Sequence, residues 1–155
     1  MTPHGGIRPT TLVLAALATT TVAWLVLRAL SGEMPHPGWV GVGVMVFLGA
    51  GLLVAGWQVR KVRDGHSDGT VTALRAARTL VLAQAAALTG SVLVGWYAAN
   101  VLVLLPDADV ASQRAHLLPF AVHAIVAAVL AAAGMVVQRW CRVRPRDEDD
   151  APPSV

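Results

Sequence analysis

The chain has 155 residues, a length suited to one domain, with 55% apolar side chains, only 14% charged ones and a formal net charge of +3. A soluble globular domain carries about a quarter charged residues, so an ordinary water-facing surface is excluded. The shortfall is concentrated: positions 9–27, 34–59, 79–105 and 117–138 contain no Asp, Glu, Lys or Arg.

A bilayer core is about 30 Å thick and an α-helix rises about 1.5 Å per residue, so about 20 apolar residues cross it. All four runs are at or near that length. A soluble four-helix bundle would need a charged stripe at 3.6-residue spacing on each helix, and none of the runs has one. Ala-rich segments such as "LAQAAAL" and "IVAAVLAAAG" favour helix, and lipid excludes strands with unpaired backbone groups. The expected fold class is therefore all-α: an integral membrane protein with four transmembrane helices in an up-down-up-down bundle. The spans are expected at 10–30, 39–59, 79–105 and 117–138, within a membrane domain over 1–140. The acidic, Pro-rich end "DEDDAPPSV" predicts a disordered cytoplasmic tail over 141–155.

In chain order, the first run resembles a secretory signal, with Arg8 ahead of "TLVLAALATTTVAWLVL" and small residues in "RALSG". Its apolar part is longer than a signal core, and Trp24 and Arg28 stand where cleavage would begin, so an uncleaved anchor is expected. The hydroxyls of Thr19, Thr20 and Thr21 can bond back to the preceding turn and need no ligand. The second run is rich in glycine, at Gly41, Gly43, Gly49, Gly51 and Gly56. With no preceding strand and no Lys-Ser or Lys-Thr pair this is not a phosphate loop, and close helix approach is the simpler reading.

The third run carries Ala83, Ala87, Ser91, Gly95 and Ala99 at four-residue spacing, with Gln84 seven residues before Ser91. Lipid supplies little hydrophobic drive between helices, so small residues that let backbones approach mark packing faces. This stripe is expected to dock another helix, with Gln84 orienting the contact. Trp96 and Tyr97 are expected as interfacial anchors, with Asn100 one turn further out near water. The fourth run repeats Ala124, Ala128 and Ala132 as a second narrow packing edge and contains His123, the one ionisable side chain well inside the apolar runs. Asn100 and His123 are thus the candidate intramembrane polar site. His116 and His123 are seven residues apart, without a Cys or carboxylate to complete a set, so no metal site is expected.

Ten of the twelve basic residues fall at the N-terminus, in the middle connection or in the tail. Basic residues are retained on the cytoplasmic side during insertion, which predicts a plasma-membrane protein with both termini inside. Arg60, Lys61, Arg63, Arg75, Arg78, Arg139, Arg142, Arg144 and Arg146 are then expected against the headgroups of an anionic inner leaflet. Nucleic acid is not an expected partner, because the tail basic cluster has no stacking aromatic beyond Trp140 and runs straight into acidic residues. Cys141 alone supports neither a disulfide nor a thiol site.

The segments "AARTLVLAQAAALTGSVLVGWYAAN" and "RWCRVRPRDEDD" resemble an actinobacterial membrane family catalogued as domain of unknown function 3180. The four-span layout, Arg78 at the entry to the third span, the Gly95-Trp96-Tyr97 segment and the Cys141-Arg142 pair carry the resemblance over nearly the whole chain. It brings no catalytic residues, though its members are often encoded near folate-biosynthesis enzymes. No cofactor is expected. Without paired carboxylates or a nucleophile–base pair near the interface, neither is an enzyme. Two functional readings remain: a non-enzymatic protein packing with itself or a membrane partner through small-residue faces, and a small carrier or channel lined by Gln84, Asn100 and His123.

Overall fold

The computed structural model describes residues 8–29, 37–63, 73–107 and 111–141. These form α1 (Pro9–Ala29), α2 (Trp39–Arg63), α3 (Ala73–Leu104), a single 3-10 turn (Leu105–Asp107) and α4 (Ala111–Cys141). All four helices are long and apolar enough to cross a membrane, over Pro9–Ala29, Trp39–Lys61, Ala77–Leu104 and Leu117–Cys141. No strand occurs among the described residues.

Three helices outrun the expected spans, since lysine and arginine are good helix formers whose long stems let a helix leave lipid without unwinding. α3 reaches 32 residues, or about 48 Å at 1.5 Å per residue. It ends just before Pro106, whose ring restricts the preceding residue and whose nitrogen donates no hydrogen bond.

The packing order is not the chain order. α3 and α4 make the most extensive contact, α1 packs on α3, and α2 packs chiefly on α4. The helices thus stand in the order α1, α3, α4, α2, with the two N-terminal helices on opposite flanks. Glycine contacts give the directions. Gly90 of α3 approaches Ala127 and Ala131 of α4, whereas Gly134 of α4 approaches Ala83 and Ala87 of α3, so these helices are antiparallel. Gly41, Gly49 and Gly56 of α2 face His123, Leu130 and Val137 of α4 in ascending order, so those two are parallel. Both directions fit a chain that reverses at every connection.

α4 occupies the centre because its sequence supplies two seams. Residues seven apart lie nearly above one another on a helix, drifting only about 20°. His123, Leu130 and Val137 form one such row against the α2 glycines, while Phe120, Ala127, Gly134 and Cys141 form a second row that is buried as well. At the end where α2 finishes, Leu52, Ala83, Val137 and Cys141 make a small core, with Val59, Leu80, Ala86 and Trp140 packed on it. Trp140 also meets Trp57 edge to face, with ring centroids 6.4 Å apart.

The α3–α4 seam leaves no room for a side chain at its glycines. A Cβ on Gly90 would lie 2.7 Å from the Ala131 amide nitrogen, and one on Gly134 would lie 2.7 Å from the Ala83 carbonyl oxygen. On the α1 side, a Cβ on Gly95 would lie 2.5 Å from the Ala16 carbonyl oxygen. Each obstacle is backbone, which cannot rotate away. Gly43 and Gly51 have nothing within 4 Å of the equivalent position. Gly90→Ala, Gly134→Ala and Gly95→Ala are each expected to destabilise the protein by about 1–3 kcal/mol, the usual effect of overpacking. Gly43→Ala and Gly51→Ala should be neutral or stabilising by about 0.5–1 kcal/mol through helix propensity. Thermal unfolding in detergent micelles measures both sets.

Candidate functional site

The described polar side chains within the spans bond mostly to their own helix. Thr19, Thr20 and Thr21 donate to the carbonyls of Ala15, Ala16 and Leu17 at 2.8–2.9 Å. Ser91 donates to Leu88 at 2.8 Å. His123 differs, because it reaches across helices.

His123 is 1% exposed, among the most enclosed large side chains of the described chain. Its Nδ1 lies 2.8 Å from the Pro119 carbonyl oxygen, one turn earlier in α4. Its Nε2 lies 3.3 Å from the carbonyl oxygen of Gly38, directly before α2. That carbonyl also accepts the first turn bond of α2, from the Gly41 amide at 3.0 Å. Each ring nitrogen thus has a carbonyl within reach, and the tautomer decides which of the two receives the N–H. On its α3 side the ring meets Tyr97, with centroids 5.0 Å apart and planes inclined by 45°. The ring sits in α4's row toward α2, close to Gly41, where a Cβ would stand 3.4 Å from Nε2.

Asn100 lies one turn from Tyr97 and is 2% exposed, with its amide nitrogen donating to the Trp96 carbonyl at 2.8 Å. This corrects the expectation of a water-facing anchor. Neighbouring residues point about 100° apart on a helix, and here the two aromatics diverge. Trp96 is 41% exposed and faces outward, whereas Tyr97 turns in toward His123. His123, Tyr97, Gly38 and Gly41 thus form one polar junction of three helices, with Asn100 a turn along α3. The arrangement fixes the entry of α2 against α4. No group of three or more His, Cys, Asp or Glu that could hold a metal ion occurs among the described residues.

A family model described as "Protein of unknown function (DUF3180)" matches residues 12–145. The chain belongs to this family. No curated protein and no solved structure gives a significant match.

In this DUF3180 chain the expected packing residues part company. Ala83, Ala87, Ser91, Gly95 and Ala99 are all buried and Gln84 is partly buried. The stripe does not serve a single neighbour, however. Four-residue steps advance about 40° each, so it swings from α4 at Ala83 and Ala87 to α1 at Gly95. On α4 the edge that meets α3 is Ala127, Ala131 and Gly134, while Ala124 is partly buried and Ala128 and Ala132 are exposed. That corrects the expected Ala124/Ala128/Ala132 seam within one chain, for the same angular reason. Gly90 and Gly134, the tightest α3–α4 contacts, were absent from the expectation. Their signal is seven-residue spacing, from Ala83 to Gly90 and from Ala127 to Gly134.

Gln84 stands sixteen residues before Asn100 on α3, about 24 Å of helix rise, so it does not join Asn100 and His123. Arg60, Lys61, Arg78 and Arg139 are exposed and lie where α2 ends, α3 begins and α4 ends, which is one end of the bundle. The Arg60 guanidinium lies 5.6 Å from the Trp140 ring centroid, over the ring. At the opposite end of α1, Arg28 covers Trp24 at 4.9 Å. Arg142, Arg144, Arg146 and the tail lie outside the described residues, as do the side chains of Arg63, Arg75 and His116.

Replacing His123 with Leu removes the interhelical contact while keeping similar bulk. It is expected to destabilise the protein by about 1–3 kcal/mol, the range for stranding buried hydrogen-bonding groups. Hydrogen exchange followed by mass spectrometry should show faster exchange in the first turn of α2, with the α3–α4 seam unchanged.

Proposed function

We propose that the protein is a non-enzymatic, multi-pass component of the cell membrane of an actinobacterium, which packs with a second copy or with another membrane protein. One observation carries this reading. After the chain has folded, the α3 stripe from Ala83 to Ala99 is consumed internally, yet two glycines of α2 still face open space. Gly43 and Gly51 have nothing within 4 Å, and Phe47 between them is 78% exposed. The three form a continuous four-residue ridge on the side of α2 away from its α4-facing glycines. Glycine weakens a helix by about 1 kcal/mol relative to alanine, and this is offset where another backbone comes close. Ala128 and Ala132 present a second small, exposed edge on α4.

The distribution of basic residues supports both termini in the cytoplasm, an orientation in which Arg60, Lys61, Arg78 and Arg139 meet the anionic inner leaflet. The wide separation of Gln84 from Asn100 and His123 weighs against a carrier path. The position of His123 between carbonyls of α4 and of the residue before α2 suits it to holding helices together.

The test uses Phe47→Cys in a Cys141→Ser background, crosslinked in native membranes with a short bismaleimide. Covalent dimers, or an adduct with one defined partner, are expected. They should be lost when Gly43 and Gly51 are both changed to Leu, while the melting temperature is retained. Absence of any adduct at Phe47 and at Ala128→Cys would overturn the packing reading. Cysteines introduced near either terminus should react with a membrane-impermeant maleimide only after the cells are opened.

A further inference from the structure

At the basic end of α3 a slot of about 420 Å³ runs along the outward face, lined by Ala77, Arg78, Val81, Leu82 and Ala85. It is an open depression, and every described residue that lines it belongs to α3. All five residues are exposed, and the opposite side of this part of α3 is occupied by α4 through Ala83 and Ala87. Ala77 and Ala85 are two turns apart, about 12 Å along the axis, and their short side chains leave a depression flanked by Val81 and Leu82. Arg78 stands at one end. It is the last charged residue before the uncharged run 79–105, so its guanidinium lies where the helix passes from headgroups to hydrocarbon.

We propose that this slot binds one anionic glycerophospholipid, with its phosphate on Arg78 and one acyl chain over Ala77 and Ala85. The chemistry of the walls selects this occupant. An apolar depression with the Arg78 guanidinium at its end matches a hydrocarbon chain that ends in a phosphate, which arginine engages with two parallel hydrogen bonds. A second copy of the chain fits less well, because none of the four uncharged runs offers a carboxylate to pair with a covered Arg78. A zwitterionic lipid brings an ammonium close to the arginine and loses part of the attraction. The assignment to the inner leaflet rests on the orientation proposed above. The site itself does not depend on packing through α2.

The test is native mass spectrometry of the full chain released from detergent micelles, titrated with phosphatidylglycerol or phosphatidylcholine of identical acyl chains. The first phosphatidylglycerol is expected to bind about tenfold tighter than phosphatidylcholine, the size of effect a charge-assisted pair supplies. Arg78→Gln should abolish that preference, and Arg60→Gln, whose guanidinium lies over Trp140, should leave it intact. Ala85→Phe fills the slot and should weaken both lipids. Equal phosphatidylglycerol binding by the wild type and Arg78→Gln overturns the proposal. So does an equal loss in Arg60→Gln, which would indicate diffuse surface charge, or unchanged binding in Ala85→Phe. The same spectra report the oligomeric state, so failure of the α2 packing reading is seen separately from failure of the lipid site.

Discussion

Direct backbone-to-backbone approach at three glycines is the constraint from which the architecture follows. In lipid the surroundings of a helix are as apolar as its neighbour, so exclusion from solvent contributes little and close fit must hold the bundle. Gly90 and Gly134 set the separation of α3 and α4 from opposite sides of one seam, and Gly95 brings α1 onto α3. With those distances set, the larger side chains have little choice of position. The parallel α2–α4 contact follows a softer rule, since Gly41, Gly49 and Gly56 receive side chains where the α3–α4 seam receives backbone. The two kinds of contact explain why α4 is central: one of its rows is small and the other carries His123, Leu130 and Val137.

The polar residues obey the same constraint from the side of hydrogen bonding. A buried donor in an apolar interior needs an acceptor, and helices leave few acceptors free. The threonines, Ser91 and Asn100 use carbonyls of their own helix, which satisfies them without affecting a neighbour. His123 lies between two carbonyls, that of Pro119 on its own helix and that of Gly38 directly before α2. The ring therefore ties a helix end to a helix middle, and Tyr97 closes the third side.

The number and approximate position of the helices were legible in the sequence because a charge-free stretch of about 20 residues has few other uses. Helix ends were less so, since arginine and lysine allow a helix to continue past the hydrocarbon. The packing faces were legible as composition but not as geometry. Four-residue spacing reads as a straight stripe on paper, yet it winds round the helix, so Ala83 and Gly95 serve different partners while Ala128 and Ala132 turn outward. Seven-residue spacing stays on course and would have singled out Gly90 and Gly134. The inward turn of Tyr97 and Asn100 is not legible in the sequence, because an aromatic near a span end reads equally as a headgroup anchor and its facing depends on where α4 and His123 stand. Which of the five α2 glycines would meet α4 depended on the position of His123, Leu130 and Val137, a relation between two helices that neither segment contains alone.

The separation of α1 from α2 bears on how the chain is made. These two helices are synthesised first as a hairpin, yet the finished molecule gives them no extensive contact with each other. The first half therefore gains its permanent contacts only with α3 and α4, which stand between its members. Completion proceeds by intercalation, with the last helix made locking the second one in place. A chain that stalled after α2 would leave two helices without their permanent neighbours, a ready target for membrane quality control.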